Sequence, residues 1–148
     1  QICEGGASRF QSVRNGLKLC IEEAIIAVHD GVRPLIHPDL ILNLYHEAEL
    51  NSAVIPVCPM SESIRKAQGE GSKALDRSQY YSVQTPQCFS SALLHRAYQQ
   101  DEQETFTDDA SVVEALGKDV HLFTGDQRNI KLTTPEDFVF AQALLKHP

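Results

Sequence analysis

Positive charge is in short supply in this 148-residue chain. Thirteen Lys and Arg stand against 20 Asp and Glu, a formal net charge of −7. That balance argues against general nucleic-acid binding, although an acidic chain can still hold an anion at one place. No apolar run approaches membrane-spanning length, and no signal-peptide pattern is visible in these residues. The four cysteines, Cys3, Cys20, Cys58 and Cys88, include no close pair of the kind zinc sites use. Four reduced thiols in a cytoplasmic protein are therefore expected. The six histidines show no ligand spacing. His29 alone adjoins a candidate site, and a satisfied structural histidine is the expectation for it. G-x-S-x-G, a Walker A loop and a Ser-His-Asp or Cys-His arrangement are all missing, so no protein nucleophile stands out. No repeat, low-complexity tract or second domain is visible. The expectation is one domain over 1–148, with hydrophobic content of 42% sufficient for a real core.

What is present centres on Ala24-Ile25-Ile26-Ala27-Val28, followed by His29-Asp30-Gly31-Val32-Arg33-Pro34. The apolar run reads as a strand buried on both faces, which suits a parallel sheet. Open α/β sheets place ligands at the C-terminal ends of such strands. Asp30, Gly31 and Arg33 at that edge could face a polar anion; a plain turn with Arg33 in solvent is the competing reading.

Around this stretch, strands and helices alternate. Gln1 to Glu4 reads as a short strand, and Ser8 as the cap of a helix carrying Phe10, Val13 and Leu17. Gly16 inside that helix either weakens it or marks close backbone packing. Pro38-Asp39 opens a second helix with Leu40, Ile41, Leu44 and Ala48 as its stripe and Asn51 as its stop. Ser52 to Val57 is a second core strand, so a strand–helix–strand parallel crossover is expected. Residues 59–82 are polar and glycine-punctuated. Ser63 to Ala67 and Lys73 to Arg77, joined by Gln68 to Ser72, read as a projecting hairpin arm that needs a partner subunit, with a disordered loop as the competing reading. A helix follows from about Ser90 to Gln100. Thr107 is expected to cap the next one, with Asp108 and Asp109 at its positive end and Gly117 as its stop. Val120 to Thr124 is a strand, and Asn129 to Thr133 an extended piece. Thr134-Pro135-Glu136-Asp137 starts a last helix through Phe138, Ala141, Leu144 and Leu145. Lys131, in an apolar strand, requires an anionic partner.

Short polar clusters recur beside the strand ends, and each has a plain explanation as a turn, cap or solvated pair. Their ordered set is distinctive: Gly-Gly-x-x-Arg-x-x-Ser-Val-x-x-Gly-Leu (5–17), Val-His-Asp-x-x-Arg-Pro (28–34), Asp-Arg (76–77), Gln-Thr-Pro-Gln-x-Phe (84–89), Thr-Asp-Asp-Ala-Ser (107–111) and Asn-Ile-Lys-x-Thr-x-Pro-Glu-Asp (129–137). This set resembles the 2-C-methyl-D-erythritol 4-phosphate cytidylyltransferase family across nearly the whole chain. The ribitol-5-phosphate cytidylyltransferases share three of the motifs, but Asp76-Arg77 and the Thr-Asp-Asp-Ala-Ser run lean toward the erythritol enzymes.

The resemblance implies a Rossmann-like α/β nucleotidyltransferase sheet with helices on both faces and an inserted β-hairpin dimerisation arm. It implies that the phosphate of methylerythritol phosphate attacks the α-phosphorus of CTP and releases pyrophosphate, with Mg2+ bridging the nucleotide phosphates. By similarity, Gly6, Ala7 and Ser12 would hold the cytosine, and Asp30 and Gly31 would lie near the ribose. Arg33, Ser63, Arg77, Thr85, Thr107 and Lys131 would hold methylerythritol phosphate, with Arg77 and Lys131 orienting its phosphate. The arm would cross a homodimer, so that Ser63 and Arg77 serve the partner's site. Ser63 stands where the family more often has Thr. The family also begins with a strand and a glycine-rich turn bearing Arg and then Lys, which cradle the triphosphate. Nothing here corresponds to it, and the chain opens on Gln1-Ile2-Cys3-Glu4 as if in mid-element. The expectation is that these residues alone do not turn over CTP. A non-catalytic dimerisation module is the alternative of a different class.

Overall fold

The computed structural model describes residues 1–146. Helix α1 (Arg9–Leu17) starts as expected: the Ser8 hydroxyl accepts the Gln11 amide, and Phe10 and Leu17 are buried. Gly16 marks no close packing, since a Cβ there would meet nothing within 4 Å. Residues 1–8 form no regular element, so the strand expected at Gln1–Glu4 is not formed. No strand lies beside it among the described residues, and an unpaired extended segment is not held in water.

The central run forms β1 (Ile25–Val28), but its surroundings differ from the expectation. All four of its residues are half-buried. After β1, helix α2 (Pro38–Asn51) buries Leu40, Leu44 and Ala48. It stops at Asn51 because Ser52 turns to a left-handed φ of 64°, its amide closing on the Ala48 carbonyl. Strand β2 (Ala53–Pro59) is the buried axis of the sheet.

The arm follows as a hairpin of β3 (Arg65–Gln68) and β4 (Gly71–Ala74), reversing at Gly69 with a φ of +55°. Every residue of both strands is exposed. The reversal is tighter than the five-residue turn expected, and a one-turn 3-10 helix (Arg77–Gln79) capped by Asp76 closes the arm.

Strand β5 (Tyr81–Val83) and strand β6 (Gln87–Ser90) then run antiparallel to β2 in succession, β5 against Val57–Pro59 and β6 against Ala53 and Val54. Between them Gln84, Thr85 and Pro86 leave the ladder, with a cis Thr85–Pro86 bond. Helix α3 (Ser91–Ala97) is shorter than the eleven residues expected. Helix α4 (Asp109–Glu114), strand β7 (His121–Thr124) and helix α5 (Pro135–Lys146) complete the chain. Gly117 ends the α4 segment in a left-handed turn, as expected.

The parallel sheet that β1 suggested is a mixed one. β1 pairs antiparallel with β6, β6 pairs antiparallel with β2, and β2 pairs parallel with β7. β1 and β2 therefore run the same way, as the crossover requires, but β6 lies between them. The cause is the return from the arm, which brings β6 back between two strands that α2 has already set apart. Helices cover both faces, and the alternation along β2 decides which. Val54 and its partner Cys88 face α2, whereas Ala53, Ile55, Val57 and Phe89 face the cluster containing Phe10, Leu94, Tyr98 and Val113. On α5 only Ala141 is buried; Phe138 and Leu145 are exposed. No helix among the described residues is long and apolar enough to cross a membrane.

Candidate active site

Three loops and the β5–β6 connection meet at a cavity of about 290 Å³ lined by Arg9, Asp30, Arg33, Thr85, Gln87, Thr107, Asp108 and Lys131, together with Val83 and Gln84. Its centre is an ionic cluster. One oxygen of Asp30, Oδ2, accepts from Arg33 Nε at 3.3 Å and lies 3.2 Å from Lys131 Nζ. Burial works to raise the Asp30 carboxyl pKa, but the Lys131 ammonium and the Arg33 guanidinium outweigh it and hold it below the ordinary value. Arg33 also donates to the Asn129 carbonyl at 2.7 Å. It is thus locked by a residue 96 positions away in sequence, and the reading of Arg33 as a solvent-facing turn residue is set aside. Lys131 has the anion it was expected to need. It is not interior, however: its side chain is 48% exposed, and the Asn129–Thr133 piece joins no sheet. That piece is held instead by the Leu132 amide on the Val32 carbonyl.

The walls are fixed by a chain of hydrogen bonds. Thr85 Oγ1 accepts the Asp30 amide at 2.9 Å and lies 3.0 Å from His29 Nδ1, while His29 Nε2 lies 3.1 Å from the Arg33 carbonyl. The Arg33 carbonyl can only accept, so His29 Nε2–H donates to it, and in the neutral ring this assigns Nδ1 as the acceptor of the Thr85 hydroxyl. His29 is a satisfied histidine, as expected. Gln87, fully buried, donates to Asp108 Oδ2 at 2.8 Å and accepts the Ala110 amide at 2.9 Å. The expected Thr107 cap is corrected to Asp108, which forms a capping box with Ser111. Asp108 stands three residues before Ser111, the spacing at which each side chain meets the other's amide. Thr107 is left exposed on the cavity wall.

Behind this wall Asp109 is fully buried and accepts from Arg9 Nη2 and from the Tyr98 hydroxyl, each at 2.5 Å. Burial opposes the charge on Arg9, but Asp109 more than offsets this and the guanidinium pKa rises. Burial and the Asp109 charge push the Tyr98 hydroxyl up as well.

Asp30, Arg33, Thr85, Thr107 and Lys131 are thus brought together. The remaining residues singled out from the sequence lie elsewhere. Gly6, Ala7 and Ser12 form the entry to α1, where the Gly6 amide donates to Ser12 Oγ at 2.9 Å. A Cβ on Gly6 would stand 2.2 Å from the Gln11 Cβ, so only glycine fits there. Gly31 does not line the cavity and has open space around it. Ser63 and Arg77 lie on the arm, outside the cavity of their own chain; Arg77 donates to the Ser61 carbonyl. Arg9, Gln84, Gln87 and Asp108 stand in the motifs read from the sequence but were given no place in the site. The pair of glutamines flanking Thr85-Pro86 was the available signal, because amides that both donate and accept suit backbone stapling. Among the described residues, no group of three or more His, Cys, Asp or Glu could hold a metal ion.

Comparisons with known proteins give the family. The family model described as "IspD: 2-C-methyl-D-erythritol 4-phosphate cytidylyltransferase" matches residues 1–147. Curated proteins of that name from Phocaeicola vulgatus and Porphyromonas gingivalis are 47% and 49% identical, over 97% and 98% of this chain and 66% of each relative. The chain therefore spans about two thirds of the length of the curated relatives it matches. The crystal structure of 2-C-methyl-D-erythritol 4-phosphate cytidylyltransferase from Thermus thermophilus superposes with a TM-score of 0.84 at 33% identity, over 97% of this chain and 72% of that one. The 4-diphosphocytidyl-2C-methyl-D-erythritol synthase of Anaerococcus prevotii gives 0.86 at 29% identity, over 97% and 68%. On a family match along almost its whole length, backed by relatives near half identity, this chain belongs to the 2-C-methyl-D-erythritol 4-phosphate cytidylyltransferase family.

Proposed function

We propose that this chain supplies the acceptor-phosphate half of a cytidylyltransferase that transfers CMP from CTP to 2-C-methyl-D-erythritol 4-phosphate, in the cytoplasm. The observation that carries this reading is the meeting of Arg33 and Lys131 on one oxygen of Asp30, in one cavity lined also by buried Thr85 and exposed Thr107. A phosphate monoester carries the charge those cations attract, and its polyol carries hydroxyls that the exposed Thr107 can bond. The phosphate oxygen forms a bond to the α-phosphorus of CTP, the bond to the β-phosphate oxygen breaks, and pyrophosphate leaves with the electron pair. The nucleophile belongs to the substrate, so the protein positions two anions and stabilises the charge between them. Lys131 and Arg33 hold the acceptor phosphate. Gly6, Ala7, Ser12, Asp30 and Gly31 face the nucleoside of CTP.

Magnesium, when bound, draws charge off the nucleotide phosphates. The described residues do not form a cage for it, and the Asp30 carboxylate is already engaged by two cations. The nucleotide phosphates would carry the ion, and no residue of this chain is assigned to it. The exposed arm is the basis for a homodimer in which Ser63 and Arg77 reach the partner's cavity, because a lone two-stranded hairpin is marginal in water. Pyrophosphate release by the full-length protein carrying this chain tests the reading. Turnover with methylerythritol phosphate and not with ribitol 5-phosphate is expected; the reverse preference, or no turnover with either, overturns it.

A further inference from the structure

The β5–β6 connection holds a residue to which the reaction assigns nothing. Gln84 is only 7% exposed, and its amide is spent entirely on one loop. Its Oε1 accepts the Asp126 amide at 3.2 Å, and its Nε2 donates to the Asp126 carbonyl at 2.8 Å and the Asn129 carbonyl at 3.4 Å. The loop lies flat on this side chain: a Cβ on Gly125 would stand 2.5 Å from Gln84 Oε1. Next door, Asn129 Nδ2 donates to the Thr85 carbonyl at 2.8 Å, and the Asn129 carbonyl also receives Arg33 Nη1. Lys131 follows two residues later with no ladder to hold it.

We propose that Gln84 is a positioning residue that sets Lys131 by pinning the Asp126–Asn129 turn. The inference rests on the cytidylyltransferase reading for its consequence, and on hydrogen-bond geometry for the pinning itself. A half-exposed lysine on an extended segment is only as well placed as the backbone that carries it. Here the backbone is fixed on one side by the buried Gln84 amide and on the other by the Leu132 amide on the Val32 carbonyl, and the Gln84 side chain sets the turn that leads into Lys131. The side chain must donate and accept at once, so no apolar or singly functional residue of the same size replaces it.

A double-mutant cycle tests this on the full-length protein. Affinity for 2-C-methyl-D-erythritol 4-phosphate is read by calorimetry, and amide hydrogen exchange at Asp126 and Asn129 is read in parallel. Gln84→Glu keeps the size and the acceptor but loses the donors, and Gln84→Met keeps only the size. Each is expected to weaken binding about tenfold in the parent and about threefold or less in a Lys131→Ala background, because coupled residues are not additive. Each is also expected to speed exchange at Asp126 with little change in the thermal midpoint. Equal penalties in both backgrounds, or exchange at Asp126 unchanged, would overturn the proposal. If the parent does not bind the sugar phosphate, the functional reading fails, and the exchange measurement still decides whether Gln84 pins the turn.

Discussion

Asp30 carries no step of the transfer, yet replacing it by asparagine is the sharpest test of the site's electrostatics. The carboxylate side chain is 16% exposed and its Oδ2 lies 3.2 Å from Lys131 Nζ and 3.3 Å from Arg33 Nε. At an effective dielectric of about 20, each contact is a gross attraction of about 5 kcal/mol. Desolvation of the carboxylate and the 48% exposure of Lys131 remove most of it. Arg33, with a side chain 10% exposed, keeps the larger share, and a charged hydrogen bond of this kind is worth about 1.5–3 kcal/mol net. Asp30→Asn should therefore cost about 2 kcal/mol at pH 7. The pH dependence has a definite sign. The folded carboxyl titrates below its ordinary value, so its stabilisation is complete above about pH 4 and fades as pH falls through the folded value. The variant lacks this contribution throughout, so the gap between the two proteins should close in acid. Urea titrations at a series of pH values measure both effects. A difference under about 0.5 kcal/mol at neutral pH, or a gap that stays constant down to about pH 3, would refute the reasoning.

Arg77→Ala in the full-length protein should cut turnover with little change in unfolding temperature, because both strands of its arm are exposed and the Arg77–Gln79 turn buries no residue. Arg77→Lys should also be impaired, since a planar fork is lost; unchanged kinetics in both would remove Arg77 from the site. Among the thiols, burial pushes Cys88 up to about 12 and raises Cys58, whereas Cys3 and Cys20 are exposed. Alkylation at about pH 8 followed by mass spectrometry should label Cys3 and Cys20 first, because the thiolate is the reacting form. Early labelling of Cys88 would contradict the packing of α2 on the sheet.

Local chemistry made some of this legible in the sequence and long-range pairing hid the rest. Ser8, Pro38 and Thr134-Pro135 announce helix starts because capping depends on residues within one turn. The direction of β1's neighbour depends on β6, far along the chain, and the run Ala24 to Val28 carries no trace of it. Arg33 and Lys131 drew notice because a cation beside an apolar run needs a reason. Gln84 and Gln87 stood in a motif but received no role, because a neutral amide shows its role only when its partners are in view. The Thr107 cap failed for a smaller reason: Thr and Asp are both good caps, and the position of Ser111 selects Asp108.

The stretch from Gln84 to Gln87 carries an evolutionary and practical corollary. Its side chains reach the 126–129 turn, the Asp30 turn and the start of α4, so its length is effectively frozen. One inserted residue would swing the later side chains off their contacts and unfasten three distant loops together. The exposed stretch 101–104 bears no comparable obligations and is the better place to splice a reporter into this chain.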